Sequence, residues 1–304
     1  MRIFQVDAFT RNRFTGNPAT VVLDADGCGD ATLAAIAREF SHAEVAFVSA
    51  ASAHDHDVRL RFFNARKEAP FVGHATVAAH AVLLALGRRS PGVCRQHSGT
   101  GIIEVRAVER DGTLIEFRQT AAELSAPLPR ETTLRVAAAL RLPASQLHHS
   151  MPALIARRGS SRLLIPLAHP AALDAVVPDF DGLVALGSEL GAEGFFLFAL
   201  AHGAAQRVTE SRMFCPALGI PEDPVSGNAH AMLAAYLWQA GQLDAASSDF
   251  VGHQGRHVQR PGEVHVTLES LAHGAGDRAG HDGRLGAVRI GGHAVIVSEG
   301  TLGS

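Results

Sequence analysis

Pro70-Phe71-Val72-Gly73-His74-Ala75-Thr76 opens a long Ala/Val/Leu segment that stops at Gly87. Small residues at the start and a glycine at the stop predict a helix over residues 74–86. Glu222-Asp223-Pro224-Val225-Ser226-Gly227-Asn228-Ala229 has the same grammar and predicts a second helix over 226–239. Gly227 follows Gly73 by 154 positions, and Ala192-Glu193-Gly194-Phe195-Phe196 follows Ala43-Glu44-Val45-Ala46-Phe47 by 149, in a chain of 304 residues. Two offsets close to half the length mark an old duplication rather than a short-period solenoid, with chance similarity between Ala/Gly-rich pieces as the competing reading.

Working outward, alternating apolar patterns at 2–9, 57–63, 101–108 and 113–118 predict strands, and 31–40 predicts a helix. Strand patterns return at 194–201 and 206–214, ahead of the second apolar helix. The expected fold class is α+β: two pseudo-symmetric halves, each a curled, mostly antiparallel sheet around one central helix. The expected division is 1–119, completed by 290–304, and 120–289, with the join where Thr120 to Pro129 turns Ala/Pro-rich. A binding site would be expected between the halves.

Composition narrows the function. A formal net charge of -3 gives no basic field for nucleic acid or an anionic membrane, although 17 histidines would add positive charge below neutral pH. With 47% hydrophobic and 19% charged residues, 30 glycines and 14 prolines, the chain reads as a turn-rich globular protein. Cys28, Cys94 and Cys215 are widely spaced and form no Cys-x-x-Cys pattern, which suits a reducing cytoplasm and gives no zinc knuckle. The N-terminus meets Asp7 before any apolar run long enough for a signal peptide. There is no glycine-rich dinucleotide or phosphate loop. Lys67 is the only lysine and has no pyridoxal context, so neither a cofactor nor a metal is expected.

Three titratable residues could carry chemistry. Glu44 stands where a helix gives way to an apolar strand; a carboxylate flanked by Ala43, Val45 and Phe47 would be partly desolvated and suited to proton exchange, but a lone Glu before a strand is more often a solvated end residue, so its partners must decide. His74 is either a second titrating group or a cap on helix amides. Asp223 is a helix cap, a substrate-orienting carboxylate, or both. Gly73 and Gly227 place helix starts where backbone amides attract anions, or are simply tight packing turns. His54-Asp55-His56-Asp57 has the composition of a metal cluster but reads as a solvated turn.

Asp7-Ala8-Phe9, Gly16-Asn17-Pro18-Ala19-Thr20-Val21-Val22 and Ser41-x-x-Glu44-x-x-Phe47-Val48 resemble the N-terminal signature of PhzF-like proteins. The resemblance continues through Arg61-Phe62-Phe63-Asn64, Glu68-x-Pro70-Phe71-x-Gly73-His74-Ala75-Thr76, Ser211-Arg212-Met213-Phe214 and Glu222-Asp223-Pro224-Val225-Ser226-Gly227. It ends with Gln254-Gly255, Arg260-Pro261-Gly262 and Val288-Arg289-Ile290-Gly291-Gly292, so it spans nearly the whole chain. It implies a diaminopimelate-epimerase-like fold, a homodimer, and a cofactor-independent isomerase with a small carboxylate-bearing, cyclic substrate.

Carried over by the resemblance, Glu44 is the acid/base, and His74 and Asp223 bind and orient substrate. Amides near Gly73 and Gly227 receive its carboxylate, with Ser226 and Asn228 as further contacts. Ser41-His42-Ala43-Glu44 and Phe63-Asn64-Ala65 depart from the commoner family runs, which bears on pocket shape. Related racemases use a cysteine opening each helix; here Val72 precedes Gly73 and the 223–228 turn has no cysteine, so a two-thiol racemase is not expected. An epimerase using Glu44 and His74, and a binding protein without turnover, are the alternative readings.

Overall fold

The computed structural model describes residues 1–40, 44–201, 207–243, 248–270 and 285–303. In chain order its first elements are β1 (Arg2–Ala8), β2 (Asn17–Leu23), α1 (Asp30–Glu39), β3 (Val45–Ala50), β4 (Val58–Phe63), β5 (Glu68–Ala69), α2 (Gly73–Ala85), β6 (Gly92–Ser98), β7 (Gly101–Glu109) and β8 (Thr113–Thr120). They are followed by β9 (Glu123–Leu124), α3 (Arg130–Ala139), β10 (Leu154–Arg158), β11 (Ser160–Pro166), α4 (Phe180–Leu190), β12 (Gly194–Ala201), β13 (Val208–Cys215) and β14 (Ile220–Asp223). The remainder are α5 (Gly227–Gln239), β15 (Asp249–Gln254), β16 (Gly262–Ser270), β17 (Leu285–Gly292) and β18 (Ala294–Thr301). None of the described helices is long and apolar enough to cross a membrane. The chain folds as two units, one of residues 1–118 with 291–304 and one of residues 119–290.

In the first unit β1 pairs antiparallel with β2 and β18, β2 runs parallel to β3, and β3 is antiparallel to β4. β4 pairs antiparallel with β5 and parallel with β6, which continues through β7 to β8. The run Val45-Ala46-Phe47-Val48 lacks polar alternation because both of its faces are covered. Val45 and Phe47 pack with Leu33 and Ala37 of α1, whereas Ala46 and Val48 join the cluster around Ala75, Ala78, Ala79 and Val82 of α2. α2 is buried on all sides, which is why its sequence is apolar at every turn rather than striped.

The second unit repeats these pairings. β10 and β11 are antiparallel, β11 runs parallel to β12, β12 is antiparallel to β13, and β13 pairs antiparallel with β14 and parallel with β15, which is antiparallel to β16. α4 bridges the parallel pair β11 and β12 as α1 bridges β2 and β3, and α5 follows β14 as α2 follows β5. The order and sense of the strands therefore carry the duplication that the two sequence offsets suggested. α5 is buried from Ala229 to Leu237.

Each central helix also buries a histidine completely. His80 of α2 donates from Nε2 to Gln96 Oε1 at 2.9 Å and accepts from Arg89, and burial pushes its pKa down to about 3. His230 of α5 donates from Nδ1 to the Ser226 carbonyl at 2.7 Å, and burial lowers its pKa to about 4. Both are neutral in the folded protein at pH 5, whereas the unfolded chain protonates them below about 6.5. Stability should therefore fall as pH drops below about 6.5, the loss growing until the folded-state values are reached. Urea midpoints at pH 7, 5.5 and 4.5 measure this, and His80→Gln should flatten part of the slope. A midpoint unchanged at pH 4.5 would contradict the burial account.

Candidate active site

Glu44 sits one residue ahead of β3, where the buried Val45 pairs with Phe63 and fixes where the side chain can point. His74 is the second residue of α2, whose N-cap position is Val72 and carries no side-chain cap. The His74 Nε2 stands 3.7 Å from Glu44 Oε2, with the two side chains only 12% and 21% exposed. That is ion-pair distance, longer than a hydrogen bond. A carboxylate and an imidazole this close, and this far out of water, form a couple able to take up and pass on a proton. A Cβ at Gly73 would come 3.0 Å from Phe117 Cζ, so the glycine lets that ring pack closely against the helix start. Ser41, in the motif with Glu44, lies outside the described residues.

In the second unit Asp223 closes β14 and Ser226 is the N-cap of α5, its Oγ accepting from Ala229 N at 3.3 Å. The serine is the N-cap of this helix, while Asp223 is still in strand register opposite Met213. Gly227 is buried in the first turn. Asn228 is held by groups that nothing local in the sequence announces. Its Oδ1 accepts from Arg158 at 3.1 Å and its Nδ2 donates to Ser160 Oγ at 3.0 Å. Arg158 also donates to the Thr120 carbonyl at 3.0 Å, and burial opposes its charge. Glu193, the sequence counterpart of Glu44, is a structural clamp whose carboxylate accepts from Ser161 N at 2.8 Å.

Two of the three thiols, Cys94 and Cys215, are buried. Burial raises the pKa of Cys94 and pushes that of Cys215 up to about 12, so neither is a thiolate at neutral pH. His56 is not in a solvated turn as its surroundings suggested: it is buried, accepts from Ser52 N at 3.0 Å and bonds Asp55, while Asp57 pairs with Arg95. Among the described residues no group of three or more His, Cys, Asp or Glu could hold a metal ion. A concavity of about 240 Å³ in the first unit is lined by Asp24, Asp57, Arg88 and Arg89 but includes neither Glu44 nor His74. Its Asp24 is already paired with Arg88 and its Asp57 with Arg95.

The sequence profile of the phenazine biosynthesis-like protein family, PhzC-PhzF, matches residues 6–300. The chain is 38% identical over 273 residues to the "Uncharacterized isomerase YddE" of Escherichia coli O157:H7, covering 88% of this chain and 90% of that one. It is 28% identical to the trans-2,3-dihydro-3-hydroxyanthranilate isomerase of Pseudomonas aeruginosa, over 98% of each chain. The crystal structure of a Bacillus anthracis phenazine biosynthesis protein of the PhzF family superimposes with a TM-score of 0.84 at 25% identity, covering 98% of this chain and 97% of that one.

Proposed function

Because the chain belongs to the phenazine biosynthesis-like family and is an isomerase of it, we propose that it moves a proton on a small cyclic carboxylate by a one-base shuttle through Glu44. The observation that carries this reading is the Glu44–His74 couple at the start of β3 and of α2. Glu44 abstracts a proton from an activated carbon, leaving a delocalised anion, and returns a proton to another carbon of the same substrate. His74 and Asp223 hold its amine or hydroxyl. The amides at Gly73 and Gly227, with Ser226 and Asn228, receive its carboxylate and offset the charge that develops.

A two-base epimerase is disfavoured by the same distance. Bases on opposite faces of one carbon each need about 3–3.5 Å to it, hence roughly 6 Å or more between them. The observed 3.7 Å is well short of that separation, which supports a single base. The mechanism calls on no cofactor or metal.

Incubation with trans-2,3-dihydro-3-hydroxyanthranilate in deuterium oxide tests the reading. A product rearranged in its double bonds and carrying solvent deuterium at the reprotonated carbon is the expected result. Deuterium entering recovered substrate with inversion at a stereocentre, and no rearranged product, would replace the isomerase reading by the epimerase one.

A further inference from the structure

β15 ends at Gln254, a buried residue in register with Ser211 of β13 and Gly262 of β16. Its side chain turns away from the ladder toward the connection between β14 and α5. Nε2 donates to the Asp223 carbonyl at 2.7 Å, and Oε1 accepts from Ser226 N at 3.1 Å. One carboxamide thus ties the two ends of Asp223-Pro224-Val225-Ser226, a turn in which Pro224 has no N–H of its own to offer. An amide donates and accepts at once in this way at any pH, whereas an ionised carboxylate cannot donate and a thioether does neither well.

The surroundings make the tie specific. Ser226 is also held at its carbonyl by His230 Nδ1 and at its Oγ by Ala229 N. Gly255, with φ +92°, lets the chain turn directly behind Gln254; a Cβ there would come within 2.6 Å of the Pro224 carbonyl oxygen. The turn, its glycine neighbour and the amide fit as one piece.

We propose that Gln254 is a positioning residue: by fixing the backbone of Asp223 against the amide of Ser226, it sets the carboxylate and the helix start that contact the substrate. This rests on the assignment of Asp223 and Ser226 to substrate binding made above. The tests are Gln254→Met, Gln254→Glu and Asp223→Asn, each compared with wild type by amide exchange and by calorimetric titration with 3-hydroxyanthranilate.

Gln254→Met should keep the exchange protection of α5 but lose that of the Ser226 amide, and bind about tenfold to a hundredfold more weakly. Gln254→Glu retains the acceptor for Ser226 but donates to Asp223 only when protonated. Its binding, relative to wild type at the same pH, should therefore recover between pH 8 and pH 5. A role limited to filling the core would not produce that recovery. Ser226 protection and binding both unchanged in Gln254→Met overturn the proposal. If Ser226 protection falls but wild type does not bind, or Asp223→Asn binds as wild type does, the tie stands and the assignment of the ring acid or of Asp223 is what fails.

Discussion

Glu44→Gln should fold with unchanged stability and lose turnover by at least about 10²–10⁴-fold, the usual contribution of a positioned general acid or base. The amide matches the carboxylate in shape, so the contacts that bury Val45 and Phe47 next to it stay intact. What disappears is the only proton carrier that the mechanism employs. In the proposed mechanism His74, 3.7 Å away, holds the substrate and does not carry the proton between carbons. Glu44→Asp makes a sharper probe: it keeps the acid but withdraws it by one methylene, and a displacement of about 1 Å can itself cost roughly 10²-fold. Single-turnover rates with trans-2,3-dihydro-3-hydroxyanthranilate measure both variants. Activity of Glu44→Gln within tenfold of wild type would remove Glu44 from the chemistry and leave the family assignment untouched.

The largest expected loss of stability lies beside Asp223. Arg212 on β13 makes a two-bonded pair with Glu222 on β14, from Nε to Oε1 at 3.0 Å and from the second nitrogen to Oε2 at 2.8 Å. Its remaining nitrogen donates to the carbonyls of Leu173 and Val176, each at 3.0 Å, and its plane lies over the ring of Phe214. Both partners are about nine-tenths withdrawn from water. Glu222→Ala strands a guanidinium that these contacts keep buried, which should destabilise the protein by about 3–5 kcal/mol.

Arg135 and Glu189 provide the control. They form a still shorter two-bonded pair between α3 and α4, at 2.7 and 2.6 Å, but both are about half exposed. Glu189→Ala should cost less than about 1 kcal/mol. Urea unfolding of the two variants measures the contrast. Equal losses would mean that burial of the Arg212 pair is not what gives it weight.

The parts of this fold legible in the sequence are those set by local patterns. α2 and α5 announce themselves by long segments rich in Ala, Val and Leu after a glycine, and β3 by an apolar run too short for a helix. α4 carries its own signals: the Asp179 cap accepts from Gly182 N, and Gly191 closes the helix with φ +68°. α3 is less legible, since two adjacent threonines weaken the helical pattern and only Val136 and Ala137 are buried.

The candidate site divides in the same way. Glu44, His74, Asp223 and Ser226 fall within short motifs, but the spacing of Glu44 and His74 depends on β3 and α2 meeting, which no window of sequence contains. The duplication could mislead here, for it pairs Glu44 with Glu193, whose carboxylate is spent on Ser161. Arg158 and Gln254 act on residues 70 and 31 positions away along the chain, so only the folded chain shows what they hold.

The pairing of β18 with β1, which runs from Arg2 opposite Thr301 to Ala8 opposite Ala294, has a consequence for how the protein is made. During synthesis the first unit lacks one of its strands until β18 has left the ribosome, whereas every residue of the second unit lies on one uninterrupted stretch of chain. The second unit is therefore free to fold first, while β1 waits with one hydrogen-bonding edge open. Leu302 N also donates to the Met1 carbonyl at 3.0 Å, so a short linker could join these positions and new ends be opened in a surface turn. Such a circular permutant would deliver β1 and β18 to the growing chain as neighbours, and would shorten the interval in which that edge is bare.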